Sequence, residues 1–287
     1  MSLANQKLRS PAVTVRSGSR FGLAAIVVLG SLITQPASGQ EAPPGAAGRP
    51  SPAVLAPSYY LPAQPELEPK AVELMQAMST TLAAAKTLSF TAVSTYESPA
   101  RTGQPLAYGS RSDVTLERPD KLRVLTPYDG PPSEFYYDGK TMMAYGPDSG
   151  LTAVADAPPT IDAMLEALYR LSATYFPFSD VVVADPWGDL EQGLKLAFVV
   201  GQSRVVGSTL TDIVAIADDN VQAQWWIGAD DHLPRRIRAT FFKEPGDFRH
   251  LVELTDWRLD PPLPPGTFAS AAAAGAKRIR FAAPGAP

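Results

Sequence analysis

Between residues 87 and 259 apolar and polar side chains alternate with a period of two, in one short run after another. That periodicity confines most of the chain to strands of an antiparallel sheet. Leu88, Phe90 and Ala92 fall on one face, with Ser89 and Thr91 on the other. Gly103-Gln-Pro105 returns the chain into a strand near 106–117, where Val114 and Leu116 alternate with Asp113, Thr115 and Glu117. Arg118-Pro-Asp120 turns it again into 121–125. The runs 134–137 and 141–145 flank Asp138-Gly139, which predicts a hairpin closed by a tight primed turn. Asp148-Ser-Gly150 permits another return into 151–155, and further strands are expected near 194–201, 204–216, 221–228, 235–243 and 249–259.

The pattern gives way to a helical period in two places. Ala71, Leu74, Met75, Met78, Leu82 and Ala85 form one stripe after Pro69, a residue suited to a first helical turn. Later, Ile161, Met164, Leu165, Leu168 and Leu171 form a second stripe, with Thr160 as the expected N-cap. Short helical turns are expected at 179–184 and 185–190, opened by Ser179 and Asp185. The fold class is therefore α+β: one large antiparallel sheet, a leading helix, and a helical segment inserted between two strand runs.

The N-terminus is a different kind of sequence. Lys7, Arg9, Arg16 and Arg20 precede an uncharged apolar core at 21–33, and Ala37-Ser-Gly39 offers a signal-peptidase site. Crossing a bilayer takes about 20 apolar residues, so a cleaved signal peptide over 1–39 is expected rather than an anchor. Residues 40–65, rich in Pro, Ala and Gly, read as a flexible linker. The folded domain then spans 66–268, and 269–287 is a weakly specified tail. A periplasmic location follows, with no integral membrane segment after cleavage.

With no cysteine in the chain, disulfides, thiol catalysis and thiolate metal sites are excluded. Beyond residue 39 there are 21 basic against 29 acidic residues, a net charge of −8, which disfavours nucleic acid as a partner. The two histidines, His232 and His250, have no nucleophile elbow to serve. Asp218-Asp219 and Asp230-Asp231 sit at turns and lack the spacing of a calcium loop. No phosphate-loop motif occurs. No metal or cofactor is expected, and the chain reads as a non-enzyme.

Residues 221–241 concentrate the aromatic and cationic side chains. Ala223, Trp225 and Ile227 share one face of a strand, with Trp226 on the other; across the turn at 229–232, Ile237 lies opposite Arg236 and Arg238. Trp-Ile, a short acidic turn and Leu-Pro-Arg-Arg-Ile resemble the central hairpin of a family of predicted periplasmic bacterial proteins of unknown function. Phe90-Thr-Ala, Arg118-Pro-Asp-Lys-Leu-Arg123, Phe135-Tyr-Tyr-Asp-Gly-Lys140, Ala157-Pro-Pro-Thr-Ile-Asp162 and Pro-Pro-Gly-Thr-Phe268 extend the resemblance over about 66–280. That family is similar in turn to the lipoprotein carriers LolA and LolB and to the stress-signalling regulator RseB. The resemblance implies an unclosed half-barrel, a curved antiparallel sheet with helices in its concavity. In the carriers that space accepts acyl chains; no residue here is a clear equivalent of the arginine with which LolA latches its lid.

Two sets of candidate site residues follow. Phe135, Tyr137, Met142, Leu165, Leu168, Trp225, Ile227 and Ile237 are expected to line a cavity for a lipid, an acyl chain or a lipidated partner. The alternative is a regulatory or scaffold module that binds a periplasmic protein through the outer face, at Trp226, Arg236 and Arg238.

Overall fold

The alternating runs pair into one continuous open sheet. The structure, a computed structural model, describes residues 64–128, 130–242 and 246–282. The expected export segment and nearly all of the linker lie outside the described residues. In chain order the strands are β1 (Glu66–Leu67), β2 (Thr87–Pro99), β3 (Pro105–Glu117), β4 (Lys121–Tyr128), β5 (Ser133–Tyr137), β6 (Thr141–Gly146) and β7 (Leu151–Asp156). They continue with β8 (Leu196–Ser203), β9 (Thr211–Ala217), β10 (Val221–Gly228), β11 (Pro234–Phe241), β12 (Arg249–Leu259) and β13 (Lys277–Ile279). The helices are α1 (Pro69–Ala84), α2 (Ile161–Ser172), α3 (Ser179–Val182), α4 (Pro186–Leu190) and α5 (Ala271–Gly275).

Two antiparallel meanders, β2–β7 and β8–β12, meet where β12 pairs with β2, giving the order β1-β8-β9-β10-β11-β12-β2-β3-β4-β5-β6-β7-β13. An open sheet this wide curls because each strand is rotated against the next. Its edges are covered from the two ends of the domain. The short β1 pairs in parallel with β8, and the short β13 pairs in parallel with β7. Capping strands of two and three residues leave little unpaired backbone to recruit another chain.

Register makes one face apolar across the whole width. Tyr137, Leu122, Leu116 and Leu88 are successive cross-strand neighbours, as are Phe135, Val124, Val114 and Phe90. Leu74, Met75, Met78 and Leu82 of α1 and Ile161, Met164, Leu165 and Leu168 of α2 are buried in the same cluster. Burying each such side chain is worth about 1.5–3 kcal/mol, so this face carries most of the folding free energy. Thr160 caps α2 by accepting the Ala163 N–H at 3.3 Å, and Asp185 caps α4 by accepting from Gly188 at 3.0 Å.

Several local expectations change. At Asp138-Gly139 only Gly139 has a positive φ, 92°, so the tight turn is not of the type I′ kind, and the Asp138 carboxylate accepts from the Lys140 and Thr141 amides. A primed turn of this kind needs positive φ at both central residues. Ser179 does not cap α3, whose N-cap is Phe178. The strand expected over 204–216 begins only at Thr211, because a turn intervenes after Ser203. The segment read as a tail contributes α5 and β13, with Ala273 fully buried. A run of alanines has no periodicity to betray that docking.

Thr152 on β7 is fully buried, and its hydroxyl has no hydrogen-bond partner. Thr152→Val removes that cost while keeping the shape, and should raise stability by about 1 kcal/mol in a urea titration. Burial, the leading cause, pushes the phenols of Tyr136 and Tyr137 up to about 12 from 10.0. The unfolded chain then loses those protons first. Stability should be flat below pH 10 and fall as pH rises from 10 towards 12, with tyrosinate absorbance appearing late in the folded protein.

Candidate functional site

Two adjacent cross-strand rows on the apolar face differ in bulk. Val214, Trp225, Ile237 and Val252 make one row across β9 to β12 and fill the space above them. The next row reads Ile216, Ala223, Ala239 and His250. Two alanines side by side leave the floor low there, and a hollow of about 70 Å³ opens above them. Roughly 10–15 Å³ on this measure holds one water, so the space suits several waters or a short apolar group.

The inserted segment supplies the roof: Tyr175, Pro177, Asp180, Leu190 and Leu194 face Ala223, Trp225, Ile237 and Val252 across the hollow. Phe241 and His250 line the same hollow, their rings edge to face at 4.8 Å. His250 also meets Tyr96, which stacks on Tyr108. Burial, helped by the charge of Asp180, raises the Tyr175 phenol above its ordinary range. It therefore stays protonated at neutral pH and is a neutral polar group beside an apolar wall.

The Arg118 guanidinium helps hold this roof to the rest of the molecule, beside Ser79 of α1, whose hydroxyl donates to Asp185 at 3.2 Å and accepts from the Trp187 amide at 3.1 Å. Arg118 Nη1 donates to the carbonyls of Val182 and Val183 at 3.0 and 2.9 Å, and Nη2 donates to Leu82 at 3.3 Å. The C-terminal ends of α1 and α3 are thereby joined through one side chain that satisfies otherwise open helix carbonyls. Asp162, at the start of α2, accepts the Ala184 N–H at 3.1 Å on the same segment. Burial raises the Asp162 carboxyl and lowers the Arg118 guanidinium, and each partly offsets the other by its opposite charge. No motif in the sequence marks Arg118 for this task, since its acceptors are backbone carbonyls 36 to 65 residues away.

Residues 71–282 match the family model described as "Predicted periplasmic protein (DUF2092)". The chain belongs to this family. Comparison with curated proteins gives no match. Among solved structures, this DUF2092 chain is similar to an uncharacterised conserved protein from Thermus thermophilus, with 11% identity and a TM-score of 0.43 over 74% of this chain and 99% of that one. It is also similar to a chain of the Pseudomonas aeruginosa MucA/MucB complex, with 17% identity and a TM-score of 0.42 over 71% and 62%. A LolA superfamily protein from Nitrosomonas europaea gives 8% identity and a TM-score of 0.35 over 70% and 97%. No helix among the described residues is long and apolar enough to cross a membrane.

The structure divides the eight expected cavity residues of this DUF2092 chain. Trp225 and Ile237 line the hollow. Phe135, Tyr137, Met142, Leu165, Leu168 and Ile227 are buried in the continuous core and do not reach it. On β2 to β5 the facing rows carry Leu, Phe, Tyr and Val side chains, with no pair of alanines on neighbouring strands. On the outer face, Trp226 and Arg236 do come together, with the guanidinium 5.5 Å from the indole centroid. Arg236 also pairs with Glu253 on β12. Arg235 bonds Asp231 and the Leu233 carbonyl within its own turn, whereas Arg238 has no ion pair among the described residues. Ala223 and Ala239 were not singled out in the sequence, although an alanine at matching positions of both hairpin strands was the available signal.

Arg118→Ala should loosen the inserted segment while leaving the sheet intact. Removing a charged donor from three carbonyls is expected to cost about 2–3 kcal/mol. Hydrogen exchange should then accelerate selectively over residues 176–190, and uniform acceleration across β2–β12 would contradict this latch.

Proposed function

We propose that this protein is exported by a cleaved signal peptide to the periplasm, where it binds a hydrophobic ligand without catalysing a reaction. The ligand is a lipid acyl chain, free or borne by a lipidated partner. The helices lie in the concavity of a half-barrel, and the inserted segment over the Ala223–Ala239 row is the part that gives way. The observation that carries this reading is the hollow itself, an apolar space floored by alanines and walled by Trp225, Ile237, Val252, Leu190 and Leu194. Burial of each methylene contributes about 0.8 kcal/mol, so a few suffice for measurable affinity without an ion pair. The resting volume takes only the end of a chain. A longer ligand requires residues 173–194 to move outward against the Arg118 latch.

Delipidated protein should take up a fluorescent fatty acid. Ala239→Phe, which raises the floor, should weaken uptake by at least about ten-fold, a loss near 1.4 kcal/mol. Its unfolding midpoint reports independently on the fold. Absence of uptake of fatty acid, phospholipid and lipopeptide would overturn the reading, as would normal uptake by a folded Ala239→Phe variant.

A second reading rests on the outer face, where Trp226 lies against Arg236 and Phe198 and Val93 are exposed. There the protein is a scaffold for a periplasmic partner, and Arg238 supplies a cation available for pairing. Charge reversal at Arg236 and Arg238 would abolish partner capture and leave fatty-acid uptake intact under this reading, whereas the reverse pattern rejects it.

A further inference from the structure

On the outer face, opposite the helices, four side chains form a row across four strands. Arg258 of β12 pairs with Ser89 of β2, Ser89 with Thr115 of β3, and Thr115 with Arg123 of β4. Two hydroxyls therefore lie between two guanidiniums. A β-bulge puts Arg258 there: the register of β12 against β2 slips by one residue between Thr255 and Arg258, where Asp256 has a φ of 56°. The extra residue turns Trp257 inward, its ring tilted against Phe90 with centroids 4.4 Å apart, and Arg258 outward.

The chain then crosses back over this row. Pro261-Pro-Leu-Pro-Pro-Gly-Thr267 borders an open cleft of about 370 Å³ that Ser89, Thr115, Arg123 and Arg258 also line. The strap is tied down at its start, where Asp260 accepts from the Lys86 and Thr87 amides and Thr87 donates its hydroxyl to the Pro261 carbonyl. Four prolines in five residues restrict its backbone, which favours keeping the cleft open over collapse onto the sheet.

The electrostatics of this space are one-sided. Among the described residues, no acidic side chain lines it. The neighbouring carboxylates are engaged elsewhere: Glu117 with Lys121, Glu134 with the Tyr136 hydroxyl, and Asp113 with Thr91 and Arg111. Arg123 donates to Thr115 at 3.2 Å, but its Nε is buried with no partner. Arg258 has no ion pair among the described residues, though other arginines on this sheet do. Neither guanidinium has a carboxylate partner among the described residues, and a bound anion supplies one.

We propose that the Arg258–Ser89–Thr115–Arg123 row beneath the proline strap binds a phosphate group. The two guanidiniums approach from opposite ends, which suits a tetrahedral group with several terminal oxygens; a carboxylate offers two oxygens, enough for one guanidinium fork. The hydroxyls of Ser89 and Thr115 donate between them. The volume exceeds that of the phosphate itself and leaves room along the prolines for an organic substituent. This site is on the opposite face of the sheet from the alanine-floored hollow, and it stands whether or not that hollow takes an acyl chain.

Titration calorimetry with inorganic phosphate, glycerol 3-phosphate and acetate, together with cosedimentation on phosphatidylglycerol vesicles, tests the proposal. Glycerol 3-phosphate should bind and acetate should not. Arg258→Gln, at an exposed position that the fold does not need, should weaken binding by about ten-fold or more. Arg123→Gln should do the same, with circular dichroism reporting on its fold. Binding of soluble phosphates identifies a free organic phosphate as the source. Binding of vesicles alone, lost in Arg258→Gln, identifies a lipid headgroup. Failure of all three phosphate probes to bind, acetate binding as tightly as phosphate, or unchanged binding in Arg258→Gln overturns the proposal.

Discussion

The pairing of β12 with β2 is the constraint on which the rest of the molecule depends. It joins strands more than 150 residues apart, from His250 opposite Tyr96 to Leu259 opposite Leu88, and turns two meanders into one sheet. Each meander alone would expose an apolar face too narrow to bury α1 and α2. Joined, they present a wide curved surface on which the helices settle. The same junction brings Arg258 beside Ser89, so the row under the proline strap depends on it directly, and it sets Tyr96 beside His250 at the margin of the alanine-floored hollow.

Packing on the two halves of that surface is unequal for a simple steric reason. On β2 to β6 the facing residues are mainly Leu, Phe, Tyr, Val and Met, and they share one buried cluster with α2. On β10 and β11 one row is reduced to Ala223 and Ala239, and the roof above it is an irregular segment rather than a long helix. Irregular segments open at lower free energy than packed helices. The apolar space and its irregular cover therefore occur at the same place.

The outer face obeys a different rule. Its polar side chains form ladders of their own, and most cations on it find an acid across the strands, as Arg236 finds Glu253 and Arg249 finds Glu97. The row under the proline strap breaks that rule, with guanidiniums at both ends and no acid lining the space among the described residues. In a chain whose net charge beyond residue 39 is −8, such a local excess is not a consequence of composition.

By itself the sequence determined the strand alternation, both amphipathic helices with Pro69 and Thr160 at their starts, and the face on which Trp225 and Trp226 separately lie. These depend on neighbours a few residues away, and local periodicity encodes them. Only the tertiary structure decided which residues meet across strands, because register combines segments that the chain order keeps far apart. Phe135 and Trp225 look equally suited to a cavity wall in the sequence, and both are buried in the core, yet only Trp225 also lines the hollow. Arg118 acts through backbone carbonyls, which carry no residue identity, and Arg258 reaches the outer face through a one-residue bulge that inverts the expected alternation. A period of two says that side chains alternate; what each one faces is set by the pairing and the bulges.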